Sequence, residues 1–202
     1  MVDVVLASAS PARLMLLTNA GVIPRVIVSE VDEAALSAAL GPITPAALCL
    51  ALAQAKARDV ADHVNDEAIV IGCDSVLEMD GVAYGKPRSA ADAKDRWRAM
   101  SGRHGTLRTG HWLVRPSTGE EGGRVASTEV FHAEPTEAEI DAYIATGEPL
   151  RVAGGFTLDG LGAPFVQRID GDPSNVIGLS LPVLRLLLQD FGIAWHELWP
   201  TP

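Results

Sequence analysis

The turn at residues 7–14, ASASPARL, places two hydroxyls, a proline and a cation directly after an apolar run. Ser10 is a good N-cap and Pro11 suits the first helical position, so the turn is explained by the start of a helix. A helix N-terminus also presents free N–H groups and the positive end of a dipole. Ser8, Ser10 and Arg13 would there add donors for an anion such as phosphate. The turn alone leaves both interpretations open.

Carboxylates and lysines occupy comparable positions elsewhere in the chain. Asp74 ends an apolar run, Glu33 closes the acidic stretch 30–33, Lys56 lies on a predicted helix and Lys86 lies in a predicted loop. Taken singly, such residues are usually caps or solvated charges. Together they offer cations for a polyphosphate and carboxylates for a divalent metal, which phosphoryl and nucleotidyl chemistry requires. Because ligands of open α/β sheets bind beyond strand ends, we expect these groups to meet in one cleft.

Apolar spacing and turn signals predict the elements that would carry these groups. Strands are predicted at 2–7, 25–31, 68–79, 106–114, 124–131 and 165–169. A hairpin signal at Asp80-Gly81 leads from the third strand into a paired strand in VAYGKP, and the GKP that ends it holds Lys86 in a loop. Helices are predicted at 11–20, 45–61, 90–100, 137–145 and 182–191. Six glycines between 154 and 178 indicate backbone that turns sharply or packs closely. Strands and helices that alternate but include hairpins predict an α/β fold with a mixed β-sheet and flanking helices.

Composition excludes several functional classes. The 202 residues, of which 48% are hydrophobic, predict one globular domain over 1–202. No apolar run reaches the roughly 18 residues of a membrane span and no signal region is recognisable, so we expect a cytoplasmic protein with no membrane partner. The net charge of −10 argues against a nucleic-acid polymer as partner. Cys49 and Cys73 are expected to be reduced core thiols. Neither a GxxxxGK[ST] loop nor an HExxH zinc motif is present.

Six blocks of the sequence carry a resemblance to a known family. In order along the chain they are LASASPARLMLL, SEVDE, ALAQAKA, GCDSV, YGKP and GLGAPFVQRIDGDPSNVIGLSL. Over roughly residues 4–191 the chain resembles the Maf family, named for septum formation and regarded as nucleoside triphosphate pyrophosphatases. The resemblance implies a fold similar to that of inosine triphosphate pyrophosphatases, with two lobes around a deep cleft. It also implies a divalent metal cation, Mg²⁺ or Mn²⁺, and a possible homodimer.

The resemblance assigns roles to individual residues. The phosphate-binding turn falls on Ser8, Ser10 and Arg13. The remaining substrate-binding positions are Glu33, Lys56 and Lys86, the catalytic aspartate is Asp74, and Asp74 and Glu33 would hold the metal. Whether Asp74 accepts a proton or holds the metal is left open.

Three positions linked in the family to the accepted base depart from its usual pattern. Ala12 replaces the first arginine of a pair, Ser75 replaces a threonine or another polar residue, and Asp159 replaces glutamine or glutamate. Ser180 also replaces the proline of the usual GLPL. The preferred base is therefore not assigned by the resemblance.

The expected reaction is hydrolysis of a nucleoside triphosphate to the monophosphate and pyrophosphate, an activity suited to housecleaning of the nucleotide pool. One alternative is a narrow pyrophosphatase for a modified base, such as methylated GTP. Another is a nucleotide-sensing regulator of cell division that binds without turnover. The two carboxylates Asp74 and Glu33 argue against the sensor, because a binding module has little need for groups that activate a metal.

Overall fold

Strands and helices alternate along the computed structural model, which describes residues 2–64 and 67–200. The strands are β1 (Val4–Leu6), β2 (Arg25–Val26), β3 (Ile69–Met79), β4 (Val82–Tyr84), β5 (His104–Arg115), β6 (Glu120–His132) and β7 (Val166–Asp170). The helices are α1 (Pro11–Asn19), α2 (Glu33–Leu40), α3 (Pro45–Ala61), α4 (Ala90–Met100), α5 (Glu137–Ala145), α6 (Pro173–Ile177) and α7 (Leu181–Asp190). Of the predicted domain 1–202, residues 1, 65–66, 201 and 202 lie outside the described residues.

The described strands form one mixed sheet in the order β2-β1-β3-β5-β6-β7, with β4 added to β3. β1 runs parallel to β2 and β3, whereas β3, β5, β6 and β7 pair antiparallel in succession. The predicted α/β class with a mixed sheet and flanking helices is confirmed. No helix of the described residues is long and apolar enough to cross a membrane.

One edge of β3 has a gap in its strand pairing. At the start of β3, residues Ile69–Ile71 pair with β1, and at its end Leu77–Met79 pair with β4. The opposite edge of β3 pairs with β5 throughout Val70–Glu78. Residues 72–76 therefore have a strand partner on one side only within the described chain. Asp74 lies in the middle of this gap.

Side chains alternate between the two faces of the sheet, and the helices cover both faces. On the face of Ile69, Ile71 and Cys73, one apolar cluster includes residues of α1 and α7. On the same face, Leu77 and Met79 belong to a second cluster with residues of α4 and α5. These two clusters lie on either side of the gap, in agreement with the expected two lobes. The opposite face packs against α3.

Two glycines let the backbone of α3 approach the sheet. A Cβ atom on Gly72 would lie 2.2 Å from the Ala53 carbonyl oxygen, and one on Gly110 would lie 2.3 Å from the Cys49 carbonyl oxygen. Any larger residue would push the helix away, because backbone atoms cannot yield as a side chain does. This close approach brings Lys56 of α3 over β3.

Several predicted elements differ from the structure. The strand predicted at 25–31 is reduced to Arg25–Val26, because β1 offers only Val5 and Leu6 as partners. β6 begins at Glu120, inside the predicted loop, because Gly122 and Gly123 still pair with β5. α2 and α6 were not predicted: α2 begins at the end of the acidic stretch and none of its residues is buried, and α6 has only five residues.

The cysteine prediction is confirmed. Cys49 and Cys73 are free and buried. Burial raises the pKa of the Cys49 thiol to about 12 and that of Cys73 to about 11, so both stay protonated and unreactive at neutral pH.

The packing of α3 on β3 is tested by Gly72→Ala. The added methyl group should clash with the Ala53 carbonyl and lower the free energy of unfolding by about 1–3 kcal/mol. The matched control is Gly122→Ala on β6, where the added Cβ would lie 3.6 Å from the Phe191 ring, an ordinary contact. Urea unfolding of both variants measures the difference. Equal stability of Gly72→Ala and the wild type would contradict the close approach.

Candidate active site

Lys56 joins two carboxylates at the gap of β3. Its Nζ lies 2.6 Å from Asp74 Oδ1 and 2.7 Å from Glu33 Oε1. Asp74 comes from β3, Lys56 from the middle of α3 and Glu33 from the first turn of α2, where Asp32 is the N-cap. Asp74 and Lys56 are both buried, whereas the Glu33 side chain is half exposed. The structure thus brings together three of the predicted site residues.

The two carboxylates differ in acidity. Burial raises the pKa of Asp74, because the charged form loses hydration, and the nearby charges of Lys56 and Arg13 oppose this without cancelling it. For Glu33, burial also acts to raise the pKa, but the Lys56 hydrogen bond and the charges of Lys56, Lys86 and Arg13 together lower it. Asp74 is therefore the stronger proton acceptor, while Glu33 stays ionised.

The same two carboxylates are suited to a divalent cation. The contacts with Lys56 use Oδ1 of Asp74 and Oε1 of Glu33, which leaves the second oxygen of each carboxylate available to a cation. No group of three or more His, Cys, Asp or Glu side chains that could hold a metal occurs among the described residues. Mg²⁺ is commonly held by one or two carboxylates together with substrate phosphates, and Asp74 with Glu33 fits that pattern.

The turn after β1 caps helix α1 through Ser10 and carries a second hydroxyl, that of Ser8. Ser10 Oγ accepts the Arg13 backbone N–H at 3.4 Å, which confirms Ser10 as the N-cap of α1. Ser8 Oγ accepts two hydrogen bonds, from the Ser10 N–H at 3.2 Å and from Arg13 Nη1 at 3.1 Å. Both of these hydrogen bonds use lone pairs of Ser8 Oγ, so its own hydrogen is available to a ligand.

The Arg13 guanidinium is directed into the protein. It donates to the carbonyls of Gly178 and Cys73, each at 2.8 Å, and to the hydroxyls of Ser8 at 3.1 Å and Ser75 at 3.2 Å. Only 9% of Arg13 is exposed. The predicted phosphate ligand is thus largely occupied by protein acceptors.

Lys86 lies across the gap from the Ser8 turn, in the loop that follows β4. It is exposed, and its charge contributes to the lowered pKa of Glu33. The loop is fixed through the Gly85 carbonyl, which accepts the Gly154 N–H at 3.1 Å and Arg96 Nη1 at 2.7 Å. The glycine-rich segment therefore begins beside Lys86.

The three predicted specificity positions lie on separate elements. Ala12 lies partly buried in the first turn of α1. Ser75 is half-buried, and its Oγ lies 2.9 Å from Thr109 Oγ1. Asp159 is exposed in the loop before the 3₁₀ turn Ala163–Phe165.

Glu148 organises the loop that carries Asp159, although no motif or spacing in the sequence singled it out. Its carboxylate accepts the hydroxyls of Tyr143 and Thr157 and the backbone N–H groups of Leu161 and Gly162. Only the density of glycines in this segment indicated that the loop needs a fixed shape. Glu148 itself could not be recognised as the acceptor without the fold.

His111 was also missed. It is buried under the site, its Nε2 accepts the Ser180 N–H at 2.8 Å, and burial lowers its pKa to about 4. It is therefore a neutral acceptor that fixes the start of α7, and Ser180, which replaces a proline in the pattern, caps that helix through its side chain.

Curated relatives match nearly the whole chain. A protein of Streptomyces coelicolor is 58% identical over 96% of this chain and 93% of its own length, and one of Rhodococcus opacus is 51% identical over 100% and 98%. Both are named nucleoside triphosphate pyrophosphatase.

A solved structure shows a much weaker likeness. It is the nucleoside-triphosphatase / dITP/XTP pyrophosphatase of Mycobacterium abscessus, which is 17% identical, with a TM-score of 0.36 over 65% of this chain and 73% of that chain. This likeness is too low to support a comparison of the two folds.

The family model described as Maf-like protein matches residues 3–191, which include every residue of the site described above. The expected resemblance is thereby confirmed, and the chain belongs to the Maf family.

Proposed function

We propose that this chain hydrolyses a nucleoside 5′-triphosphate between the α- and β-phosphates, releasing the monophosphate and pyrophosphate. The observation that carries the proposal is the buried Asp74 carboxylate, whose pKa is raised, held 2.6 Å from the Lys56 ammonium at an open strand edge. The names of the relatives, matched over nearly the whole chain, support the same reaction.

Asp74 is the group that would act on the attacking water. As the water oxygen bonds to the α-phosphorus, the bond from that phosphorus to the bridging oxygen breaks and pyrophosphate leaves. A carboxylate with a raised pKa takes the water's proton more readily than an exposed one, which is what a general base requires.

The cations around the gap suit the charge of the substrate. Lys86 is exposed and would pair with the triphosphate directly, whereas Lys56 would contact phosphate oxygens only beside the carboxylates that it already binds. The Ser8 hydroxyl would add a neutral donor. Because the whole protein carries a charge of −10, these local groups have no general positive field to replace them.

A divalent cation, Mg²⁺ or Mn²⁺, is part of this proposal. Asp74 and Glu33 would hold it together with phosphate oxygens, and when bound it would neutralise charge on the triphosphate and acidify water. Proton transfer and phosphate binding would otherwise be carried out by side chains of the protein itself.

We place the reaction in the cytoplasm and leave the base undefined. Two free, buried thiols suit a reducing compartment. The loop held by Glu148 would present backbone groups and Asp159 to the base, while Ala12 and Ser75 would shape the site near the phosphates. A homodimer stays a prediction.

Pyrophosphate release with Mg²⁺ or Mn²⁺, measured over a panel of unmodified and modified nucleoside triphosphates, tests the proposal. The expected result is equal amounts of monophosphate and pyrophosphate from at least one nucleotide. Formation of diphosphate and orthophosphate would contradict cleavage between the α- and β-phosphates, and binding of every nucleotide without turnover would favour a sensor.

Asp74→Asn should lower kcat by on the order of 10²-fold or more while the protein stays folded, because an amide can neither accept the proton nor bind a metal as strongly. Asp80→Asn is the matched control. Asp80 lies at the end of the same strand, but its carboxylate is exposed and paired with Arg103. Near wild-type kcat in Asp74→Asn would remove Asp74 from the mechanism.

Ser8→Ala and Ser10→Ala separate the two interpretations of the turn. Ser10→Ala removes the cap of α1 and should cost roughly 0.5–2 kcal/mol of stability with little change in kinetics. Ser8→Ala should lower kcat/KM with a smaller loss of stability, because the Ser8 hydrogen is available to phosphate. Thermal melts and steady-state kinetics are measured on both variants. Wild-type kinetics in Ser8→Ala would mean that the turn starts helix α1 and does not bind phosphate.

A further inference from the structure

Arg13 links three separate segments around the gap of β3. Its acceptors belong to the turn after β1, to β3 on both sides of Asp74, and to Gly178 at the end of α6. A guanidinium has five N–H groups, and these four contacts use four of them. Little of its hydrogen-bonding capacity remains for a ligand.

One of these contacts replaces a missing strand. In β3, carbonyls two residues apart point to the same edge, so the carbonyls of Ile71 and Cys73 face the edge that β1 shares. The Ile71 carbonyl accepts the Ala7 N–H at 2.8 Å, the last backbone contact from β1 along this edge in the described chain. The next carbonyl on that edge, that of Cys73, accepts Arg13 Nη1 at 2.8 Å. Arg13 thus satisfies a buried carbonyl that would otherwise lack a partner.

The contacts on β3 flank Asp74 in the chain. Arg13 binds the carbonyl of the residue before it and, at 3.2 Å, the hydroxyl of the residue after it. A third contact holds Ser8 Oγ, so that one side chain fixes the turn and the strand relative to each other. The planar fork of arginine can reach several acceptors at fixed angles, which a lysine ammonium cannot do.

We propose that Arg13 is a positioning residue, which holds Asp74 and Ser8 in their working geometry through the backbone of β3 and is not a ligand of the triphosphate. This inference rests on the proposed function only for its kinetic consequence. The interactions themselves concern the protein without substrate.

Arg13→Lys and Arg13→Ala test the inference by separating kcat from binding. In both variants kcat should fall on the order of 10²-fold, because a displacement of about 1 Å has that effect on a catalytic group. The Kd for pyrophosphate and for a non-hydrolysable triphosphate, measured by calorimetry, should stay within about 3-fold of the wild type. A phosphate ligand would instead lose about 10-fold or more in affinity in Arg13→Ala, and Arg13→Lys would restore most of it.

Arg115→Ala is the matched control. Arg115 is partly buried and donates to a backbone carbonyl, that of Phe191, at 2.7 Å, but it lies at the end of β5, away from Gly110, the partner of Asp74. This variant should lose stability without the fall in kcat. If Arg13→Ala does not fold, Arg13→Lys carries the test by the same separation of kcat from Kd.

Hydrogen exchange gives a readout that does not depend on catalysis. In Arg13→Lys, amides of residues 72–76 should exchange faster than in the wild type, while amides of β6 should not change. If the wild type releases no pyrophosphate, the proposed function fails but this result still supports the positioning role. Unchanged exchange at residues 72–76, or a weakened Kd with unchanged kcat, would overturn it.

Discussion

The structure of the site depends on the contact of Lys56 with Asp74 and Glu33. A buried carboxylate and a buried ammonium are each costly alone, and each makes the other tolerable when they are hydrogen-bonded. The contact is possible only because α3 lies against the sheet, which in turn needs glycine at positions 72 and 110. These two glycines thus determine the position of Lys56 relative to Asp74.

The open edge of β3 explains why these groups can meet a substrate. β1 and β4 pair with opposite ends of the same edge, so Asp74 lies between them and the two apolar clusters lie on either side. An unpaired stretch inside a sheet leaves backbone groups without partners, and Arg13 satisfies one of them from the side. The gap therefore gives a substrate access to Asp74, while Arg13 keeps this part of β3 ordered.

Much of this arrangement follows from local sequence, and some of it does not. The bounds of α4 and α5 were predicted because hydroxyl caps at Ser89 and Thr136 begin them and glycines with positive φ follow them. The meeting of Asp74 with Lys56 was expected because cations and carboxylates together suit a polyphosphate and its metal. Asp74 lies in the middle of β3 and not beyond its end, so its accessibility depends on the gap in strand pairing, which the sequence does not reveal. The inward direction of Arg13 could not be predicted, because its acceptors include backbone carbonyls 60 and 165 positions away in the chain. Glu148 was missed for the same reason, since its partners are defined by the fold of a loop.

The pH dependence of kcat/KM for pyrophosphate release, compared between the wild type and Lys56→Met, tests the central interaction most directly. Burial raises the pKa of Asp74 and the Lys56 charge opposes this rise, so loss of the charge must raise the pKa further. In folded Lys56→Met the acidic limb of the profile should move to higher pH by about 1–3 units, with part of the activity recovered on the alkaline side. An acidic limb that stays at the wild-type pH would contradict the account, because the pKa of Asp74 would then not depend on the charge of Lys56.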